Sequence, residues 1–190
     1  PQGKYILIDP ATNKIGGDTC SIGYFEIYDE TPALRELKEG MYSPSDMIKI
    51  ALIMALEHRV KLIVVESTNY QYTVLHWFKE VCEKYNITGI DCVDVYSGMT
   101  SKNSRISLML KSLTSGEIVL HPSVKSQVIS VISQWNPLKR DNNDGVLDLL
   151  TYSKKVIELY GWATATNEQL LIGEGKHPQM DHSSTATSGF

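Results

Sequence analysis

Four acidic residues stand at positions where carboxylates can do chemistry. Asp9 ends the apolar run Tyr5-Ile6-Leu7-Ile8, and Glu66 ends a second run, Leu62-Ile63-Val64-Val65. Parallel strands of an open α/β sheet bring their carboxyl ends to one edge, where active sites form. Carboxylates gathered there repel and raise one another's pKa unless a cation neutralises them. Hard oxygen ligands of this kind suit Mg²⁺ or Mn²⁺. Taken singly, either acid is equally well explained as the polar end of a strand on a solvated rim. Asp144 and Asp148 lie four apart at the start of a helical stretch, hence on one face. Asp144 has an ordinary use as a helix cap. Asp148 sits inside Val146-Leu147-Asp148-Leu149-Leu150, where a lone carboxylate is heavily desolvated. It is therefore a metal ligand or the partner of a nearby lysine, and the metal reading is favoured.

The elements that must position these acids follow from the apolar pattern. The run from Lys4 to Pro10 is continuous rather than alternating, which predicts a strand covered on both faces. Pro10 and the loop from Asn13 to Gly17 break it, and Thr19 to Ile27 reads as a second strand, close enough to pair antiparallel with the first. A short third strand is expected near Ala33 to Lys38. Ser43-Pro44 opens a helix that runs to about Arg59. Strand Leu62 to Glu66, helix Tyr72 to Tyr85, strand Cys92 to Val95 and helix Lys102 to Leu113 follow, the last closed by Gly116. Strand Ile118 to Leu120 and helix Val124 to Trp135 come next, with Asn136-Pro137 ending the helix. The final helix starts at Asn143 or Asp144 and runs to Tyr160. The order predicts one α/β domain over residues 1–172, a mixed sheet with antiparallel first strands and then parallel ones, flanked by helices. From Gly173 the composition turns small and polar, and 173–190 is expected to be a flexible tail.

Several motifs share this order. They are Ile8-Asp9-Pro10-Ala11 with Gly17-Asp18-Thr19; Val65-Glu66 with Tyr70-Gln71; Lys102-Asn103-Ser104-Arg105-Ile106 with Gly116-Glu117-Ile118; and Asn143-Asp144-Gly145-Val146-Leu147-Asp148. In order and spacing, over roughly residues 4 to 158, the chain resembles the nuclease domain of the large terminase subunit of tailed bacteriophages. The resemblance implies a ribonuclease-H-like fold and an endonuclease that cuts concatemeric viral DNA during genome packaging, in the cytoplasm of the infected bacterium. It implies Asp9, Glu66 and an aspartate of the final helix as metal-binding acids. Relatives often carry His-Asp-Asp, then two residues and another Asp; here the first three positions read Asn143-Asp144-Gly145. Asp148 is therefore expected as the main ligand from this helix, with Asp144 as its helper. Asp18 matches a frequent family position, but a turn-shaping role is the reading preferred for it. With two ions about 4 Å apart, Asp9 would bridge, Glu66 would bind one ion, and Asp148 with Asp144 would hold the other.

The basic residues are less telling. Lys102 and Arg105 resemble the family's basic pair and are candidates for the DNA backbone, as are Lys139 and Arg140; each also fits an ordinary solvated face. A net charge of −4 and a pI near 5.7 exclude a protein whose main task is sequence-independent grip on nucleic acid. No Gly-x-x-x-x-Gly-Lys-Ser/Thr motif occurs, so the chain carries no phosphate-binding loop and reads as the nuclease half of a terminase without its ATPase. The expected partners are double-stranded viral DNA, that ATPase domain in the full-length chain, the small terminase subunit and the portal. A first residue of proline suggests excision from a longer chain. No apolar run approaches membrane-spanning length, and no signal peptide opens the chain. Cys20, Cys82 and Cys92 show no zinc spacing and read as small buried hydrophobes. The five histidines show no ligand spacing, and Tyr24, Phe25, Trp77, Phe78 and Trp135 fit core packing. The alternatives are a Holliday-junction resolvase or ribonuclease H of the same fold, or a non-catalytic docking module of a packaging motor.

Overall fold

The computed structural model describes residues 1–10, 19–66, 71–96, 98, 100–139, 142 and 144–164, and only the backbone of 71–73 and 162–164. The loop from Asn13 to Gly17, Asp18, Arg140, Asn143 and the tail expected over 173–190 lie outside the described residues.

Strands β1 (Gly3–Asp9), β2 (Cys20–Tyr28) and β3 (Thr31–Gly40) form an antiparallel meander. On the other side of β1, strands β4 (Leu62–Glu66) and β5 (Asp91–Val95) add in parallel. The two-residue β6 (Val119–Leu120) pairs in parallel with β3, giving the sheet order β5-β4-β1-β2-β3-β6. The described helices are α1 (Pro44–His58), α2 (Gln71–Tyr85), α3 (Lys102–Ser115), α4 (Pro122–Gln134) and α5 (Gly145–Thr164).

The pleat divides the core between two faces. On β1, Ile6 and Ile8 pack with α1 and α2, while Tyr5 and Leu7 pack with α3, α4 and α5. On β4, Ile63 and Val65 join the first cluster, Leu62 and Val64 the second. Both strands are thus buried on two sides, which is why their apolar runs are continuous.

The elements differ from the sequence expectation at their edges. β3 extends over ten residues rather than six, because Asp29 and Glu30 both take left-handed backbone (φ 47° and 61°) and close a tight hairpin. That geometry suits a two-residue turn but lacks the glycine that usually announces one. α4 starts at Pro122, capped by the His121 ring, which accepts from the Ser123 N–H. α5 passes beyond Tyr160, whose non-helical backbone (φ −129°, ψ 16°) marks a kink there. α1 and α3 begin at the expected Ser43 and Ser101 caps, and Gly116 (φ 78°) closes α3 in the left-handed region.

Candidate active site

Parity in the pleat aims two acids at one helix. Asp9 follows Tyr5 and Leu7 on the α5 face of β1, and Glu66 follows Leu62 and Val64 on the same face of β4. Leu7 stands opposite Val64 and Ile8 opposite Val65, so the two strands end level. The carboxyl groups of Asp9 and Glu66 are hydrogen-bonded to each other, a contact that needs a shared proton or a nearby cation. Burial is the main cause that pushes the Asp9 carboxyl well above the usual carboxylate range. Glu66 and the charge of Asp148 push it further, and Lys102 opposes them.

The start of α5 is pressed against these strand ends. A Cβ on Gly145 would lie 2.8 Å from Ser21 Oγ, 3.2 Å from Asp9 Oδ2 and 3.2 Å from the Thr19 carbonyl oxygen. Glycine at this position is therefore what lets the helix approach. One turn on, Asp148 has a side chain only 10% exposed. Burial raises its pKa to about 6; Lys102 holds it down, while Asp144 and Glu66 add to the rise. Asp148 Oδ1 is buried and makes no hydrogen bond, and neither does the buried Ser21 Oγ.

Two cations come from the first turn of α3. Lys102 Nζ donates to Asp144 Oδ1 at 2.7 Å and lies 2.5 Å from Asp148 Oδ2. Burial alone would lower the lysine's pKa, but Asp148 and Asp144 outweigh it and raise it. Arg105 Nη2 stands 3.7 Å from Asp148 Oδ1, its Nη1 donating to the Thr100 carbonyl at 2.8 Å. Its guanidinium lies 5.8 Å from the ring centre of Tyr152. The Tyr152 hydroxyl, one turn beyond Asp148 and 1% exposed as a residue, donates to Glu66 Oε1. Sequence analysis singles out no role for Tyr152; its i+4 spacing from Asp148 is the signal that finds it.

Solved structures with this architecture share one description. The nuclease domain of the bacteriophage P22 large terminase superposes with a TM-score of 0.58 at 12% identity, covering 90% of this chain and 88% of that one. The human cytomegalovirus terminase nuclease domain, Mn-soaked and inhibitor-bound, gives 0.59 at 11% identity, over 87% and 88%. The chain has the fold of a terminase nuclease domain. Its mixed sheet, antiparallel then parallel, is the ribonuclease-H-like one expected from the sequence. A complete large terminase from a thermophilic bacteriophage matches at 0.58 and 12% identity over 82% of this chain, which spans only 40% of that protein. No family model and no curated protein sequence matches the chain.

Within this terminase-type fold, all four acids expected from the sequence belong to one electrostatic cluster. Their donor set fits a divalent metal. It is all oxygen, it includes a buried carboxylate oxygen with no hydrogen bond, and it holds two carboxyl groups in direct contact. As the side chains stand, no three His, Cys, Asp or Glu among the described residues are gathered closely enough to hold an ion. Lys102 instead satisfies Asp144 and Asp148, so the lysine partner weighed for Asp148 is present.

The other candidates lie apart or outside. Lys139 is exposed between α4 and α5. His58 stacks on Tyr24 and pairs with Glu36 at 2.8 Å, and His121 caps α4, both structural uses. Cys20, Cys82 and Cys92 are free. No helix among the described residues is long and apolar enough to cross a membrane.

Proposed function

We propose that the chain is a divalent-metal-dependent DNA endonuclease, the nuclease part of a large terminase subunit that cuts concatemeric viral DNA during packaging. The observation that carries this reading is the burial of Asp148 beside Asp9, Glu66 and Asp144 in a terminase-type fold. Uncompensated, such a cluster is electrostatically costly; with Mg²⁺ or Mn²⁺ it is a hydrolytic centre.

Asp9, Glu66, Asp144 and Asp148 would hold the metal, with Asp9 central because it touches Glu66 and feels Asp148. Two bound ions would acidify a water and neutralise charge on the scissile phosphate and the leaving 3′ oxygen. The chain's own part is orientation. Tyr152 fixes one oxygen of Glu66 and leaves the other free. Gly145 keeps the helix start close to Asp9. Lys102 and Arg105, at the rim of the cluster, are the candidates to meet the DNA backbone. The proposed partners are double-stranded viral DNA, the ATPase domain of the same full-length chain, the small terminase subunit and the portal, in the cytoplasm of the infected bacterium.

Plasmid nicking with Mn²⁺ tests the reading. Wild-type chain should nick supercoiled DNA, EDTA should stop it, and Asp9→Asn should lower the rate at least about 100-fold with an unchanged circular dichroism spectrum. Equal nicking by Asp9→Asn, or nicking in EDTA, would sink it. Four-way junctions and RNA–DNA hybrids cut in preference to linear duplex would favour a resolvase or ribonuclease H instead.

A further inference from the structure

The two cations of α3 are held differently. Arg105 is only 19% exposed, is tied to the Thr100 carbonyl and lies beside the Tyr152 ring. Lys102 is 45% exposed and sits at the first position of the helix. Its ammonium contacts the acids alone among the printed partners, through Asp144 Oδ1 and Asp148 Oδ2. These are the two carboxylates that α5 offers to the cluster. An ammonium on a flexible four-carbon stem can leave by rotation about its own bonds, without moving either helix.

We infer that Lys102 is a built-in counterion of the acidic cluster, which a divalent ion displaces from Asp144 and Asp148 as it binds. The inference rests on the proposed reading of the cluster as a metal centre. A monovalent ammonium and a divalent ion sharing the same two carboxylates repel each other at close range, so one must yield. The exposed, single-point lysine yields more readily than the anchored arginine. Lys102 thus neutralises Asp144 and Asp148 in the metal-free protein and competes with the metal for them. Arg105 stays beside Asp148 Oδ1 in both states.

Calorimetric titration of Mn²⁺ into the whole chain tests this, with wild type, Lys102→Met, Lys102→Arg and Asp9→Asn. Lys102→Met should bind Mn²⁺ at least about tenfold more tightly than wild type, because the competitor is gone. Lys102→Arg, which keeps the charge, should stay near wild type. Reductive methylation followed by mass spectrometry should show the Lys102 amine of the wild-type chain reacting several-fold faster once Mn²⁺ is bound. If wild type binds Mn²⁺, Asp9→Asn abolishes that binding, and Lys102→Met binds no more tightly, the inference fails while the metal reading stands. Unchanged methylation of Lys102 on Mn²⁺ binding also overturns it, even if Lys102→Met fails to fold. No Mn²⁺ binding by either wild type or Lys102→Met would remove both.

Discussion

Asp148 carries a cost in the metal-free chain, and its sign can be measured. Its folded-state pKa of about 6 lies above the ordinary carboxyl value, so the folded state holds the proton more tightly than the unfolded one. The associated stability is fully present below about pH 4 and is lost as the pH rises through 6. Asp9 shifts in the same direction. Glu26 and Glu36 shift downward, so their contribution is lost only as the pH falls below the usual glutamate range. In EDTA, the urea midpoint should therefore drop between pH 4.5 and 7, by a stability on the order of 3 kcal/mol. Asp148→Asn should flatten that slope, and Mn²⁺ should restore stability at pH 7; a midpoint that rises over this interval would contradict the assignment. Tyr152→Phe removes the donor to Glu66 and should cost about 1–2 kcal/mol while raising the Mn²⁺ needed for half-maximal nicking. Of these side chains, Asp148 was legible in the sequence, since an acid inside Val-Leu-Asp-Leu-Leu has few uses. Tyr152 was not, because a tyrosine on an apolar helix is ordinarily core.

The site depends on where α3 and α5 begin. Ser101 accepts from the Ser104 N–H and fixes the first turn of α3, which carries both Lys102 and Arg105. Ser101→Ala should cost about 1 kcal/mol, visible in urea unfolding, and should loosen the ion pairs rather than the core. Gly145→Ala places a methyl group against Ser21 Oγ and Asp9 Oδ2. Nicking should fall more than stability does, because the nearest contacts are the fully buried Ser21 hydroxyl and the proposed ligand itself. Wild-type activity in Gly145→Ala would show that the close approach does not matter. Strands β1 and β4 were legible because both faces are covered, which leaves an unbroken apolar run. The length of β3 was not, since the Asp29–Glu30 turn reaches left-handed backbone without glycine. Nor was the Lys102 pairing. It joins residues 42 apart through the packing of two helices, which local periodicity does not encode.

At the scale of the molecule, the terminase-type fold sets an acidic cluster in an acidic chain. Lysines and arginines number 18 against 22 aspartates and glutamates, so the chain as a whole does not attract a polyanion. Several basic groups near the site are already engaged: Lys102 with Asp144 and Asp148, Arg105 with Asp148, and Lys154 with Glu117. Few phosphates can then be neutralised at once, and counterion release, the main source of nonspecific affinity, is small. Asp9→Asn chain, which should not cut, is therefore expected to bind a 20-bp duplex with a Kd weaker than about 10 μM at physiological salt. The logarithmic salt slope should correspond to no more than about three or four phosphates. Joining the chain to a DNA-gripping partner such as the proposed ATPase domain should raise the nicking rate at fixed DNA concentration through effective concentration alone, with no new contact at the acids. Fluorescence anisotropy at several salt concentrations measures the first two quantities. Submicromolar binding with a steep salt slope would mean that the isolated chain grips DNA by itself, and that its acidic balance misleads.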